Sequence, residues 1–131
     1  LIVIDSSPLV AILKDENEGR SFWNIIASAD RVLLGAANKL EVMMVAAGYY
    51  GSEGKQIAQE LLDRCNIEVI PLSEELADIA AEAFLQYGRG RNHPAKLNFG
   101  DCMAYALAKS LDAPLLFKGD DFSKTDIKPA A

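Results

Sequence analysis

Histidine is nearly absent from this chain: His93 is the only one in 131 residues. One imidazole cannot by itself support a zinc site, which draws on several nitrogen or sulfur ligands. Cysteine is almost as scarce, and Cys65 and Cys102 follow no metal-ligand spacing. Both stand among apolar residues and are expected to be reduced core thiols. Any metal bound here is therefore expected to be held mainly by oxygen. Long apolar runs are missing too, since none approaches the ~18 residues of a membrane span. The apolar stretch Val42–Ala47 is expected inside an amphipathic or buried helix. The first residues, Leu-Ile-Val-Ile-Asp, carry neither the basic start nor the cleavage site of a secretory signal and read as a strand. The expectation is a cytoplasmic protein with no membrane association. Positive charge is the last deficit: 13 Lys and Arg against 19 Asp and Glu leave a net charge of −6. That balance argues against nucleic-acid binding through a broad basic surface. It leaves open an enzyme that meets a phosphate through a divalent cation, because filling an acidic pocket with cations inverts its sign.

What remains is ordinary soluble composition, half hydrophobic and about a quarter charged. The length suits one domain spanning residues 1–131. Along it, strand and helix signals alternate. Leu1–Ile4 is a short β-type run that stops at Asp5-Ser6-Ser7-Pro8, with helix continuing over Leu9–Leu13. Glu16–Ala29 carries Phe22, Ile25, Ile26 and Ala29 at helical spacing. Arg31–Leu34 reads as a strand, Ala36–Tyr50 as a helix ended by Gly51, and Ser52 opens another helix to about Arg64. Ile67–Ile70 is a third strand, Ser73 starts a helix to about Tyr87, and Gly88–Leu97 is a loop holding most of the local positive charge. Asn98 caps a helix to about Leu111, Leu115–Lys118 is a fourth strand, and Ile127 belongs to a possible short fifth. This alternation predicts an α/β fold, a central, mainly parallel sheet of four to five strands with helices on both faces. Ligands of such folds bind beyond the carboxyl ends of the strands.

A few acidic residues lie where solvation does not explain them. Asp5 directly follows a strand expected to be buried on both faces, although it could simply cap the next helix. Glu41 stands among Ala37, Asn38, Met44 and Val45, with no basic partner at helical spacing. An ionised carboxylate buried there needs compensation, which a cation would supply. Asp101 opens a helix with Asn98, a pattern that also resembles a capping box. Gly100 is an odd choice in that first turn unless backbone or ligand comes close. Asp120 and Asp121 follow the last strong strand after Gly119, as solvated turn residues or as ligands aimed over the sheet edge. Carboxylates converging from these positions cannot all ionise without a cation. Oxygen-only ligands suit Mg²⁺ or Mn²⁺, and the lack of a Ser, Cys or His nucleophile suits metal-assisted attack of water on a phosphodiester. Ser6 and Ser7 are candidates to hydrogen-bond the Asp5 carboxylate or a metal-bound water, and equally to cap the helix; Ser6 is also a candidate substrate contact. Arg89, Arg91, His93 and Lys96 form a basic island ahead of Asp101, a candidate grip on a nucleic-acid backbone or a solvated loop. Phe99 and Tyr105 are expected in the core.

These residues resemble, over essentially the whole chain, the PIN-domain ribonucleases, and specifically the VapC-type toxins of toxin–antitoxin pairs. The resemblance is carried by Val3-Ile4-Asp5-Ser6-Ser7, by Leu40-Glu41, and by Leu97-Asn98-Phe99-Gly100-Asp101-Cys102 with Ala104–Ala108. Leu115-Leu116-Phe117-Lys118-Gly119-Asp120-Asp121-Phe122 and Thr125-Asp126-Ile127 complete it. It implies a three-layer α/β/α fold and a Mg²⁺- or Mn²⁺-dependent endoribonuclease that hydrolyses RNA. The acidic positions implied are Asp5, Glu41, Asp101 and a fourth at the Asp120/Asp121 pair. Asp121 is preferred because it directly precedes Phe122. A homodimer and a cognate VapB-type antitoxin that covers the active site are also implied. Departures are small: Pro8 stands where Ala is more usual, and Asn38-Lys39 is more polar than expected. The alternative reading is a catalytically weak PIN-like module that binds RNA or a partner protein. A phosphoacceptor domain would need an Asp ending a central strand where Ile70-Pro71 stands. A haloacid-dehalogenase-type phosphatase would need an Asp at Ser7.

Overall fold

The computed structural model describes residues 1–131. Three β-type residues form β1 (Ile2–Ile4), and the chain turns straight into α1 (Ser6–Leu13), where Asp5 is the N-cap and accepts from the Ser7 N–H at 3.2 Å. Asp15 takes a left-handed φ of 53°, which ends that helix and delays α2 to Gly19–Ser28 rather than Glu16. Strand β2 (Val32–Gly35) runs without a loop into α3 (Ala36–Tyr50). A 3₁₀ turn at Gly51–Glu53 leads to α4 (Gly54–Arg64), so the expected start at Ser52 is a tighter turn before the helix proper. Strand β3 (Ile67–Ile70) follows, then α5 (Glu74–Tyr87), capped by Ser73, then α6 (Phe99–Ser110) and β4 (Leu115–Leu116).

The four strands are all parallel, in the order β3-β2-β1-β4. Their alternate residues face opposite layers. Val3, Leu33 and Leu115 pack with Tyr87, Leu97 and Tyr105 in the α5–α6 layer. Ile4, Val32, Leu34 and Leu116 pack with Leu9, Phe22, Val42 and Leu62 in the layer of α1 to α4. The result is the expected three-layer α/β/α arrangement. Because the chain steps from β1 to β2 on one side and returns to β4 on the other, the connections diverge at the β1–β4 pair. A crevice at that point is where open parallel sheets hold ligands.

The last strand is shorter than the expected Leu115–Lys118. The Lys118 N–H goes to Ser7 Oγ at 3.0 Å instead of to a strand neighbour, so the chain leaves the sheet after Leu116. The possible fifth strand is a single bridge: Leu115 donates to the Lys128 carbonyl, and Ala130 donates back to Leu115. Pro129 between them has no N–H with which to extend a ladder. Ile127 is buried without belonging to a strand.

Helices α3 and α4 meet closely at Gly54, where an added Cβ would lie 2.2 Å from the Ala46 carbonyl oxygen. Gly48, on the same helical hairpin, faces open space. Gly54→Ala is expected to destabilise the fold by about 1–3 kcal/mol through overpacking against backbone. Gly48→Ala is expected to stabilise it by about 0.5–1 kcal/mol through helix propensity. Urea denaturation of the two variants checks both signs.

Candidate active site

Asp5 ends the strand at the divergence point, and it is 3% exposed. Its backbone N–H bonds to the Leu116 carbonyl of β4. One carboxylate oxygen, Oδ2, accepts from the Ser7 hydroxyl at 2.6 Å as well as from the Ser7 N–H. The same hydroxyl accepts from Lys118 N–H, so Ser7 links the exit of β4 to the exit of β1. The other oxygen, Oδ1, is buried without a partner. Capping therefore accounts for half of this carboxylate and leaves the other half unexplained.

Asp101 repeats the pattern. Asn98 Oδ1 accepts from the Asp101 N–H at 2.9 Å, and Asp101 Oδ2 accepts from the Asn98 N–H at 3.0 Å, a complete capping box. The box fixes the carboxylate's direction through Oδ2 alone. Glu41, a turn and a half into α3, is half-buried and receives the Ser6 hydroxyl at 2.5 Å. Its carboxylate lies over Gly100, where an added Cβ would stand 2.8 and 2.9 Å from the two oxygens. This close approach explains the glycine in the first turn of α6. The two serines thus divide their work: Ser7 serves Asp5, and Ser6 serves Glu41.

Asp121 opens a 3₁₀ turn (Asp121–Lys124), and its charge reaches Asp101. Asp120 lies just before that turn. Burial raises the Asp101 carboxyl above its ordinary value, and the negative charges of Asp121 and Glu41 add to the rise. The Asn98 N–H and the Arg89 guanidinium oppose it. For Asp5, burial is the main cause of a pKa pushed up to about 7, with Asp101 and Glu41 adding to it against the bonds from Ser7. Asp5, Glu41 and Asp121 are thus each within electrostatic reach of Asp101. No three of the His, Cys, Asp and Glu side chains close into a ready-made ligand set. The donor chemistry nevertheless fits a hard cation: all-oxygen, mutually repelling, with a buried carboxylate oxygen left over on Asp5.

The basic loop borders this crevice. It is tied at its base, where Arg89 N–H bonds to the Leu97 carbonyl and Leu97 N–H to the Tyr87 carbonyl. Ala95 and Leu97 are fully buried beneath it. Arg89, His93 and Lys96 line a hollow of about 910 Å³, together with Gly90, Asn92 and Pro94. Lys96 adopts a left-handed φ of 50°, an uncommon conformation for its type, and its side chain is exposed. His93 is partly structural: its Nδ1 accepts from Ala95 N–H, and its ring meets Tyr87 edge-on. Arg91 is exposed and outside the hollow's lining.

Of the two aromatic residues expected in the core, one departs from expectation. Tyr105 is in the core and bonds to Asp126, but Phe99 is 73% exposed. It occupies the first turn of α6 and edges an apolar hollow shared with Phe84, Leu85 and Met103. Asn38 is the residue that sequence reasoning left aside. It is fully buried, and its Nδ2 donates to the Gly100 carbonyl at 3.0 Å. The only sign of it in the sequence is its polarity in an otherwise apolar stretch. Cys102 is buried and Cys65 is half-buried, both as free thiols. No helix is long and apolar enough to cross a membrane.

Comparison with known proteins places this geometry. The PIN domain family matches residues 2–128. Ribonuclease VapC28 of Mycobacterium tuberculosis is 38% identical over 129 residues, covering 98% of this chain and 97% of that protein. Ribonuclease VapC30 of the same organism is 39% identical, covering 99% and 98%. Among solved structures, Mycobacterium tuberculosis VapC20, described as a sarcin-ricin loop cleaving toxin, superposes with a TM-score of 0.78 at 16% identity, covering 97% and 96% of the two chains. A toxin–antitoxin complex from Klebsiella pneumoniae gives 0.72 at 18% identity over 94% and 91%. At such identities these two structures speak for the fold.

The raised Asp5 pKa has a consequence for stability. The folded chain keeps that proton up to pH about 7, while the unfolded chain releases it near 3.8. Stability from this group is thus complete below the lower value and is lost as pH rises through the upper one, by an amount on the order of 4 kcal/mol. In EDTA at pH above about 8, Asp5→Asn is expected to be more stable than the parent chain, with the gap closing below pH about 4. Urea denaturation at the two pH values checks it.

Proposed function

The chain belongs to the PIN-domain family and, within it, to the VapC ribonucleases, and on that footing we propose that it is a Mg²⁺- or Mn²⁺-dependent endoribonuclease, the toxin of a toxin–antitoxin pair. The observation that carries the metal-dependent reading is the pair of capped carboxylates. Asp5 and Asp101 are each aimed through one oxygen by local hydrogen bonds, and neither uses the other oxygen in those bonds. In this reading Asp5 and Asp101 hold the cation, with Glu41 and Asp121 completing the acidic set.

A divalent cation there supplies Lewis acidity at a phosphoryl oxygen and lowers the pKa of water. The chain's own residues do the rest. Ser7 and the capping box orient the two principal carboxylates, so little side-chain freedom is lost on binding. Ser6 holds Glu41 by one oxygen, which leaves the other to accept a proton from the attacking water or to orient it. Arg89, Lys96 and the hollow around His93 bind phosphates of the RNA backbone beside the cleavage point, with Arg91 at the margin. This local basic rim lets an acidic protein approach a polyanion.

A cognate VapB-type antitoxin as partner draws support from the family. A homodimer draws support from the large apolar side chains left exposed on α3 and α6, Leu40, Met44 and Phe99. A cytoplasmic location follows from an RNA substrate and agrees with two free thiols. Light scattering on the purified chain is expected to return twice the 14.2 kDa mass; a monomer at all concentrations would exclude the dimer.

Cleavage of a generic single-stranded RNA tests the activity. Turnover is expected with Mg²⁺ or Mn²⁺, to vanish in EDTA, and to fall roughly hundredfold or more in Asp5→Asn and in Asp101→Asn. Undiminished cleavage in EDTA would exclude the metal-dependent mechanism. Absence of cleavage under every metal, with RNA still bound, would favour the non-catalytic binding module.

A further inference from the structure

Two buried side-chain polar atoms of the chain have no hydrogen-bond partner, Asp5 Oδ1 and Asn38 Oδ1. Both lie at the same end of the sheet. The register of β1 on β2, Val3 beside Leu33, brings Asp5 level with Gly35. Asn38 Oδ1 lies 3.3 Å from where a Cβ on Gly35 would stand. The amide's orientation is decided by its other end, because the Gly100 carbonyl is an acceptor only and requires the nitrogen.

A fully buried amide with one end unpartnered is a cost to the fold. Leucine shares the branched skeleton of side-chain heavy atoms and, though larger, carries no acceptor to be orphaned. The amide must therefore serve something other than packing. Its one bond spans the two helix starts that carry acidic residues: Asn38 stands three residues before Glu41, and Gly100 directly before Asp101. The Glu41 carboxylate sits against Gly100 and repels the charge of Asp101, so the electrostatics push the start of α3 from the start of α6. A directional hydrogen bond opposes that push in a way that apolar contact between the helices does not.

We propose that Asn38 is a positioning residue of the acidic site. It fastens the first turn of α6 to the first turn of α3, so that Asp101 and Glu41 face one cation together with Asp5. Its Oδ1 adds a neutral oxygen acceptor over Gly35, on the strand next to Asp5, of the hard kind that suits Mg²⁺ or Mn²⁺ and their waters. The assignment rests on the cation-dependent reading above.

Calorimetric titration of the full chain with Mn²⁺, in the absence of RNA, tests it on Asn38→Leu and Asn38→Ser. Neither substituent reaches the Gly100 carbonyl as the amide does. Both variants are expected to bind Mn²⁺ roughly ten- to hundredfold more weakly, the usual loss when an outer-shell partner is removed. Urea denaturation in EDTA is expected to show both variants folded, so that the weaker Mn²⁺ binding is read on folded chains. Parental Mn²⁺ affinity in either variant would overturn the proposal while leaving the cation-dependent reading intact. Failure of both variants to fold would make Asn38 a determinant of the fold and overturn it likewise. No Mn²⁺ binding by the parent chain would overturn both together.

Discussion

A carboxylate buried at the end of the central strand, facing two others, is the constraint around which the rest of this molecule is arranged. Asp5 has lost its water, and the charges of Asp101 and Glu41 add to the difficulty of ionising it. An isolated buried charge of this kind is far costlier than any single packing contact in the domain. The neighbouring residues read as answers to that problem. Ser7 stabilises one oxygen, Ser6 occupies Glu41, and the glycines at 35 and 100 remove the bulk that would keep the acidic side chains and Asn38 apart. None of these groups carries a positive charge to set against it.

The topology explains why the acids meet there. Strands β1 and β4 are hydrogen-bonded neighbours, yet more than a hundred residues separate them, and the connections leave the pair in opposite directions. The crevice this creates is flanked by the first turns of α3 and α6. Capping then acts a second time: Asp5 and Asp101 satisfy exposed helix N–H groups through one oxygen each, and that same bond aims the other. Local helix chemistry and site geometry are thus the same interactions, so a change in one disturbs the other.

Charge is segregated on a small scale. The chain is acidic overall, yet Arg89 and Lys96 sit on a loop whose base is bonded into the start of α6, beside Asp101. Within a Debye length of about 10 Å this local arrangement outweighs the net charge for a ligand already close to the surface. A phosphate approaching the crevice therefore meets basic side chains on the loop side and the acidic set on the other.

Most of the elements, their order and the identity of the acids in unsolvated surroundings were determined within the sequence. Strand alternation, the Ser73 cap and the Asn98–Asp101 box are written within a turn or two of chain, where the physics is local. The early end of β4, the exposure of Phe99 and the Asn38–Gly100 bond were decided only by the tertiary structure. Lys118 leaves the sheet because a serine 111 residues away takes its N–H. Phe99 lies outside because it borders an open apolar hollow with Phe84 and Leu85 of α5 instead of entering the packed core. The partner of an amide or a carboxylate across 62 or 35 positions is chosen by packing of the whole sheet. Periodicity records which face a residue takes on its own helix, and carries no record of what the opposite element leaves open.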